Sequence, residues 1–349
     1  MHRPTPSAAA ELVPPPWPEN PVLARVWRGR HVESQHRGAW VLSDASGAVV
    51  DGEGDWNHPV FPRSATKSLQ ALPLVESGAA ERFGFTDDEL ALALASHHAE
   101  AIHVSRVRRL LARLGLEERH LQCGPQTPVD ADARRALLLA GQKPSTVHNN
   151  CSGKHVGFLA LAVHLGVDVA NYLDPASASQ QAVRRAVEEM SGARPGELDV
   201  ATDGCSAPTF HLPLVRLATA MARVANPGRL VEPRRLACER MLRAAAKNPD
   251  LVGSTKHSLC SDLLRATGGR LFPKLGTEAV YVVGIRGTDL GLAVKIDDGG
   301  YRAMNAVVID VLQRKGHLSR AEVAQLGEWR AGPIRNWAGL EIGRLEIAS

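Results

Sequence analysis

The sequence predicts a mixed α/β protein of the α+β kind. Two observations lead there. Short β-branched segments lie near the start of the chain and again at residues 280–296, with a helix-rich middle between them. This order lacks the regular strand–helix alternation of a doubly wound parallel sheet. The chain also carries no Gly-x-Gly-x-x-Gly run and no Walker-type phosphate loop.

The elements follow in order. Residues 1–22 are rich in Pro and Ala and predict a flexible arm, and 23–349 a single catalytic unit with a helical subregion around 86–270. Gly38–Val41 and Val49–Val50 flank the polar turn Ser43–Gly47, a hairpin pattern. Ser64–Ser77 reads as a helix closed by Gly78, although Pro73 opposes an unbroken one. Thr86 and Glu89 form a capping box ahead of Leu90, Leu92 and Leu94. Val104, Val107, Leu111 and Leu114 recur at helical spacing, and Gly115 ends that helix. Pro128-Val129-Asp130 opens another helix through Leu139. Val156–Leu165 is almost wholly apolar, a buried helix with polar residues at its start. Helices follow near 178–190, 214–224 and 232–246, strands at 280–285 and 290–296, and a last helix at 301–312.

Composition narrows the function. With 44% hydrophobic and 22% charged residues in 349, the chain suits a sizeable core. A net charge of +4 without a basic, aromatic-interleaved stripe argues against a nucleic-acid partner. No apolar run is long enough to cross a bilayer. The first residues lack a basic segment followed by an apolar stretch, so a secretory leader is not expected. An odd set of five cysteines suits a reducing cytoplasm better than a disulfide framework.

Ser64-Ala65-Thr66-Lys67 places a hydroxyl and an amine one helical turn apart. A serine hydroxyl needs a base within hydrogen-bond reach to act as a nucleophile. A lysine serves when burial or a neighbouring cation keeps it neutral. Ser-x-x-Lys opens the catalytic set of penicillin-binding and class A β-lactamase-like enzymes. Alone, it is also what an N-cap serine and a solvated lysine produce. Ser96 and Lys274, the latter in Lys274-Leu275-Gly276-Thr277, are candidates for the remaining elements.

Cys151-Ser152-Gly153-Lys154-His155 and Asp203-Gly204-Cys205 form a second constellation. Two thiols are an incomplete zinc set. Lys154, His155 and His148 each stand as a possible third ligand, and two buried free thiols are the plain alternative.

The joint run of motifs resembles the type II asparaginase family of the inducible, thermolabile rhizobial kind. The matching stretches are Val32-Glu33-Ser34 with His36-Arg37-Gly38, Pro62–Lys67, Val75–Ala80, Ala95-Ser96-His97, His148–His155, Asp203-Gly204-Cys205 and Leu292–Gly299. They occur in order between about residues 25 and 315. The resemblance implies a serine β-lactamase/glutaminase-like fold, a mixed antiparallel sheet with surrounding helices. It implies hydrolysis of L-asparagine to L-aspartate and ammonia, and a homodimer. It makes Ser64–Lys67 one Ser-Lys tandem and Ser96–Lys274 the second. It assigns a zinc ion to Cys151, Lys154 and Cys205. Beside these, Arg63, His97 and Asp203 are candidates for substrate binding. The chain departs from the family at His97-His98-Ala99-Glu100, at Lys256–Asp262 and at Gly276-Thr277-Glu278-Ala279, changes that bear on substrate preference. Glutaminase or another ω-amidase, a β-lactamase-like hydrolase, and a non-catalytic small-amide binder are the alternatives.

Overall fold

The computed structural model describes residues 17–348. Its strands are β1 (Val22–Arg28), β2 (His31–Asp44), β3 (Val49–Glu53), β4 (Pro59–Val60), β5 (Asp199–Thr202), β6 (Pro208–Pro213), β7 (Leu271–Gly276), β8 (Val280–Ile285), β9 (Leu290–Ile296), β10 (Gly332–Arg335) and β11 (Glu341–Ile347). The main sheet has eight strands in the order β10-β11-β1-β2-β9-β8-β7, with β3 paired to β2. Every pairing in it is antiparallel. β4, β6 and β5 make a smaller sheet. The expected α+β fold with an antiparallel sheet and surrounding helices is therefore what the chain adopts.

β2 is long enough to bridge the two halves of the sheet. Its first half pairs with β1, and residues from Gly38 to Asp44 pair with β9. Asp44 closes the β2–β3 turn, accepting from the Ser46, Gly47 and Ala48 amides with one carboxylate oxygen. Helix Leu214–Ala225 packs on β2, β8 and β9, and helix Tyr301–Arg314 packs on β1, β8, β9 and β11. β8 is buried at all six positions, as a strand covered on both faces should be.

The helical layer behind Leu214–Ala225 carries the polar cluster. The helix expected at Ser64–Ser77 is broken into a 3-10 turn, Arg63–Thr66, and two short helices, Lys67–Gln70 and Leu72–Glu76. Pro73 explains the break: it sits in the first turn of the last piece, where its missing N–H costs nothing. The capping box holds, with Glu89 Oε2 accepting from the Thr86 amide at 3.2 Å. The apolar run forms helix Ser152–His164, buried from Ser152 through Ala162. Of the proposed arm, residues 1–16 lie outside the described residues. Further on, Asn20 is buried and donates to Asp297 Oδ1 at 3.0 Å, and β1 begins at Val22.

Candidate active site

Ser64 and Lys67 lie at either end of one 3-10 step, where side chains three apart stand over one another. Arg63, just before them, has φ 52°, the left-handed region. Its guanidinium is tied to Asp203, Nε to Oδ1 at 2.6 Å. Asp203 comes from the turn between β5 and β6, so this pair clamps the serine turn to the small sheet. The Ala65 amide is already donated to the Pro62 carbonyl at 3.0 Å and is therefore spent as an oxyanion donor.

Ser64 is half-buried, whereas Lys67 is fully buried. A direct Ser64–Lys67 hydrogen bond, the simplest expectation, is not among the contacts of the described residues. The four-carbon stem carries the amine inward, where Nζ donates to Ala95 O at 2.5 Å and Ser96 Oγ at 3.1 Å. The same Ser96 oxygen receives Lys274 Nζ at 2.9 Å. One hydroxyl thus links two lysines separated by more than half of the chain. Burial lowers the Lys67 pKa against the pull of the Cys151 thiol. Burial drives Lys274 from 10.5 down to about 7, with Cys260 opposing and Lys67 adding to the shift. An amine in the condition of Lys274 is able to take up a proton near neutrality.

Lys274 lies on β7, the edge strand of the main sheet. Two residues on, a Cβ at Gly276 would stand 2.2 Å from the Pro62 carbonyl oxygen. Only glycine lets the strand lie this close to the Ser64 turn.

The cysteine cluster meets this group from the other helix. Cys151 is the N-cap of Ser152–His164, and its amide donates to Asn149 Oδ1 at 2.9 Å. Lys154, in the first turn, donates to Cys205 Sγ at 3.3 Å. A Cβ at Gly153 would meet the Leu92 carbonyl oxygen at 2.4 Å, so glycine lets this turn nest against the helix that leads to Ser96. The two thiols share a hydrogen bond. It holds Cys151 well below the ordinary thiol range, with Lys67 and Lys154 assisting, and pushes Cys205 up. Burial opposes the Lys154 ammonium, but both thiols outweigh it and hold its pKa up. Two soft donors beside an amine fit a zinc ion, whose binding would displace the protons that Cys205 and Lys154 hold. Each of the other possible third ligands has one ring nitrogen in a hydrogen bond, and the Nε2 of His155 is buried without a partner. His155 Nδ1 meets the Tyr172 hydroxyl at 2.7 Å, and His148 Nδ1 accepts from the Ser145 amide at 3.0 Å.

His97 sits next to Ser96, on the loop that follows it. It is fully buried, its Nδ1 accepts from the Ala99 amide at 3.1 Å, and its Nε2 meets Ser152 Oγ at 2.8 Å. Burial holds it neutral. With both ring nitrogens engaged, it braces the Ser96 loop against the helix that starts at Cys151.

Several contributors stood in the sequence only as parts of motifs, with no structural role given to them. Glu100 accepts from Ser254 Oγ at 2.7 Å and the Thr255 amide at 3.0 Å, fixing the loop that hydrogen-bonds the Ser96 and His98 amides through Val252 and Gly253. Asn149 and Gly276 act through backbone contacts. A glycine directly after a Lys-x pair was the one visible signal. A cavity of about 190 Å³ opens beside Ser96 and Lys274. A larger hollow of about 690 Å³ among Arg229, Arg270 and Arg286 contains none of the serine, lysine or thiol groups above.

The L-asparaginase II family model matches residues 24–347. No curated protein sequence matches the chain. Among solved structures, Mglu in its native form is 14% identical with a TM-score of 0.41, over 81% of this chain and 61% of that one. The chain thus spans less than two-thirds of that Mglu chain. A β-lactamase from Mycobacterium bovis is 16% identical with a TM-score of 0.40, over 79% and 94% of the two chains. Simvastatin synthase from Aspergillus terreus is 14% identical with a TM-score of 0.36, over 83% and 91%. These superpositions are too loose to define the architecture, which rests on the sheet order above. No helix among the described residues is long and apolar enough to cross a membrane.

Proposed function

The chain belongs to the L-asparaginase II family, an asparaginase-type amidohydrolase family, and from that premise we propose that it converts L-asparagine to L-aspartate and ammonia through an acyl-enzyme at Ser64. It would stand among the zinc-holding members with paired Ser-Lys tandems. The observation that carries this reading is the buried run Lys67–Ser96–Lys274, with Ser96 Oγ 3.1 and 2.9 Å from the two amines.

Ser64 Oγ bonds to the side-chain carbonyl carbon while its proton passes to the neutral Lys67 amine. Unliganded sites often hold such a hydrogen bond long, and it closes when substrate arrives. The proton moves on toward Ser96, the amide nitrogen takes it, and the C–N bond breaks to release ammonia. Water then adds to the ester, yielding its proton to the Ser96–Lys274 pair. The C–O bond breaks, aspartate leaves and Ser64 recovers its proton. Arg63 and Asp203 flank the serine turn and read the carboxylate and amino ends of the substrate. Cys151, Lys154 and Cys205 would hold the zinc ion, which when bound supplies positive charge beside the site and keeps the thiols ionised. The five cysteines, all free and buried, are in keeping with a cytoplasmic setting. A homodimer is proposed from the family resemblance, and sedimentation tests it.

The deciding experiment measures ammonia release from asparagine and from glutamine, with metal content determined on the same sample. Ser64→Ala is expected to lower turnover by at least about a thousandfold with the fold retained. Near-normal turnover in that variant removes Ser64 from its role. Faster release from glutamine would move the reading to a glutaminase.

A further inference from the structure

The cavity of about 190 Å³ beside Ser96 and Lys274 has walls that include Val252, Leu259, Tyr281 and Trp329. These walls are carbon-rich, with His98, His257, Ser258 and Asn305 also on the lining, and the polar atoms of two of its aromatic residues are engaged by protein partners. The Tyr281 hydroxyl donates to Cys260 Sγ at 3.4 Å, and the Trp329 indole donates to Asp262 Oδ2 at 2.8 Å. A substituent entering here meets aromatic and aliphatic surface. An apolar cavity of roughly 150 Å³ holds a benzene ring, so this one has room for a phenyl group. It is too small for a whole drug-sized ligand, which marks it as a subsite.

Its position relative to the chemistry gives it a direction. Lys274 and Leu275 line it, and the next residue of the same strand, Gly276, touches the Ser64 turn at Pro62. Arg63 and Asp203 hold the other side of that turn. With the substrate's amino and carboxylate ends at Arg63 and Asp203 and its carbonyl at Ser64, the leaving nitrogen faces Ser96 and Lys274. A primary amide puts only hydrogen there and leaves the cavity unfilled.

We propose that this cavity receives an apolar group carried on the amide nitrogen, so that the protein hydrolyses N-aryl and N-alkyl β-amides of aspartate as well as the primary amide. The inference rests on the reading of Ser64 as nucleophile and extends it to a substrate class. In the reaction the C–N bond breaks and the nitrogen takes the proton that Ser64 gave up. An arylamine or alkylamine leaves in place of ammonia, and water supplies the new carboxylate oxygen.

The test uses the full-length protein with L-aspartate β-anilide, following aniline release, alongside ammonia release from L-asparagine. The anilide is expected at a kcat/KM within about tenfold of asparagine. Leu259→Trp, which fills the cavity, is expected to lower the anilide-to-asparagine ratio by at least about thirtyfold. Because Leu259 is buried and its variant risks misfolding, Trp329→Ala at a half-buried position provides the opposite change. It should raise the ratio of β-naphthylamide to anilide cleavage at least about fivefold. Asparagine cleaved without the anilide overturns the proposal and leaves the Ser64 reading intact. So do ratios that neither variant moves. If neither amide is cleaved, the Ser64 reading fails and the proposal falls with it.

Discussion

Replacing Lys274 by methionine separates the lysine's charge from its volume. In the fold the amine titrates at about 7, against 10.5 in the exposed state. A base whose pKa falls on folding holds fewer protons in the fold than in the unfolded chain. Between about pH 7 and 10.5 the unfolded state therefore binds the extra proton, and stability rises with pH across that window. At about 1.4 kcal/mol per pH unit, burying the amine costs about 5 kcal/mol at pH 6 and about 1.4 kcal/mol at pH 9.5. Methionine removes this cost at every pH. It also removes the bonds to Ser96 Oγ and Leu275 O at 2.9 and 2.8 Å, a loss of about 2 kcal/mol that does not vary with pH. Lys274→Met should thus be more stable than the parent by about 3 kcal/mol at pH 6 and slightly less stable at pH 9.5. Urea unfolding of both proteins at several pH values, with metal content matched, measures the difference directly. Parallel stability curves from pH 6 to 9.5 would refute the claim that the fold holds this lysine near neutrality.

The remaining predictions concern the clamp, the close strand, the thiols and the rate profile. Gly276→Ala drives a methyl group into the Pro62 carbonyl, and should cost about 1–3 kcal/mol in urea unfolding with turnover down at least about a hundredfold. Arg63→Gly relieves a left-handed φ of 52° while removing the tie to Asp203. It should leave the unfolding midpoint near the parent's and raise KM, since strain relief of about 1 kcal/mol offsets a partly exposed ion pair. Cys205→Ser should reduce bound zinc to a trace in elemental analysis, whereas Cys238→Ser, at a buried thiol away from the cluster, should not. In the unchanged enzyme, kcat/KM should rise with pH through about 7 as Lys274 loses its proton. A profile that falls across that range counts against Lys274 as a proton acceptor.

How far the sequence disclosed all this depends on the range of the interactions involved. Helix Ser152–His164 was legible because its apolar run is unbroken and its polar residues crowd one end. β8 and β9 were legible for the same local reason. β10 and β11 were not: they are mostly exposed or half-buried around the tight turn Asn336–Gly339, and their strand character comes from β11 pairing with β1 across the whole chain and β10 pairing with β11. The Ser64 helix was overdrawn because a proline in a first turn and a proline in a helix interior look alike in sequence.

At the site, the local pairs were visible and their connection was not. Ser64–Lys67 and Cys151–Lys154 each fall within one turn, where spacing alone implies proximity. That Lys67 turns from Ser64 to Ser96, and that Lys274 comes to the same oxygen, depends on an edge strand lying against a 3-10 turn. Spacing carries no information about such a contact, but the glycine that permits it does. A Cβ at Gly276 would occupy the Pro62 oxygen, as one at Gly153 would occupy that of Leu92. Both glycines stand within two residues of a lysine of the cluster. The residues that look least chemical in these motifs therefore set the distances at which the amines, hydroxyls and thiols meet. Substitutions there should disturb activity more than their small volumes suggest.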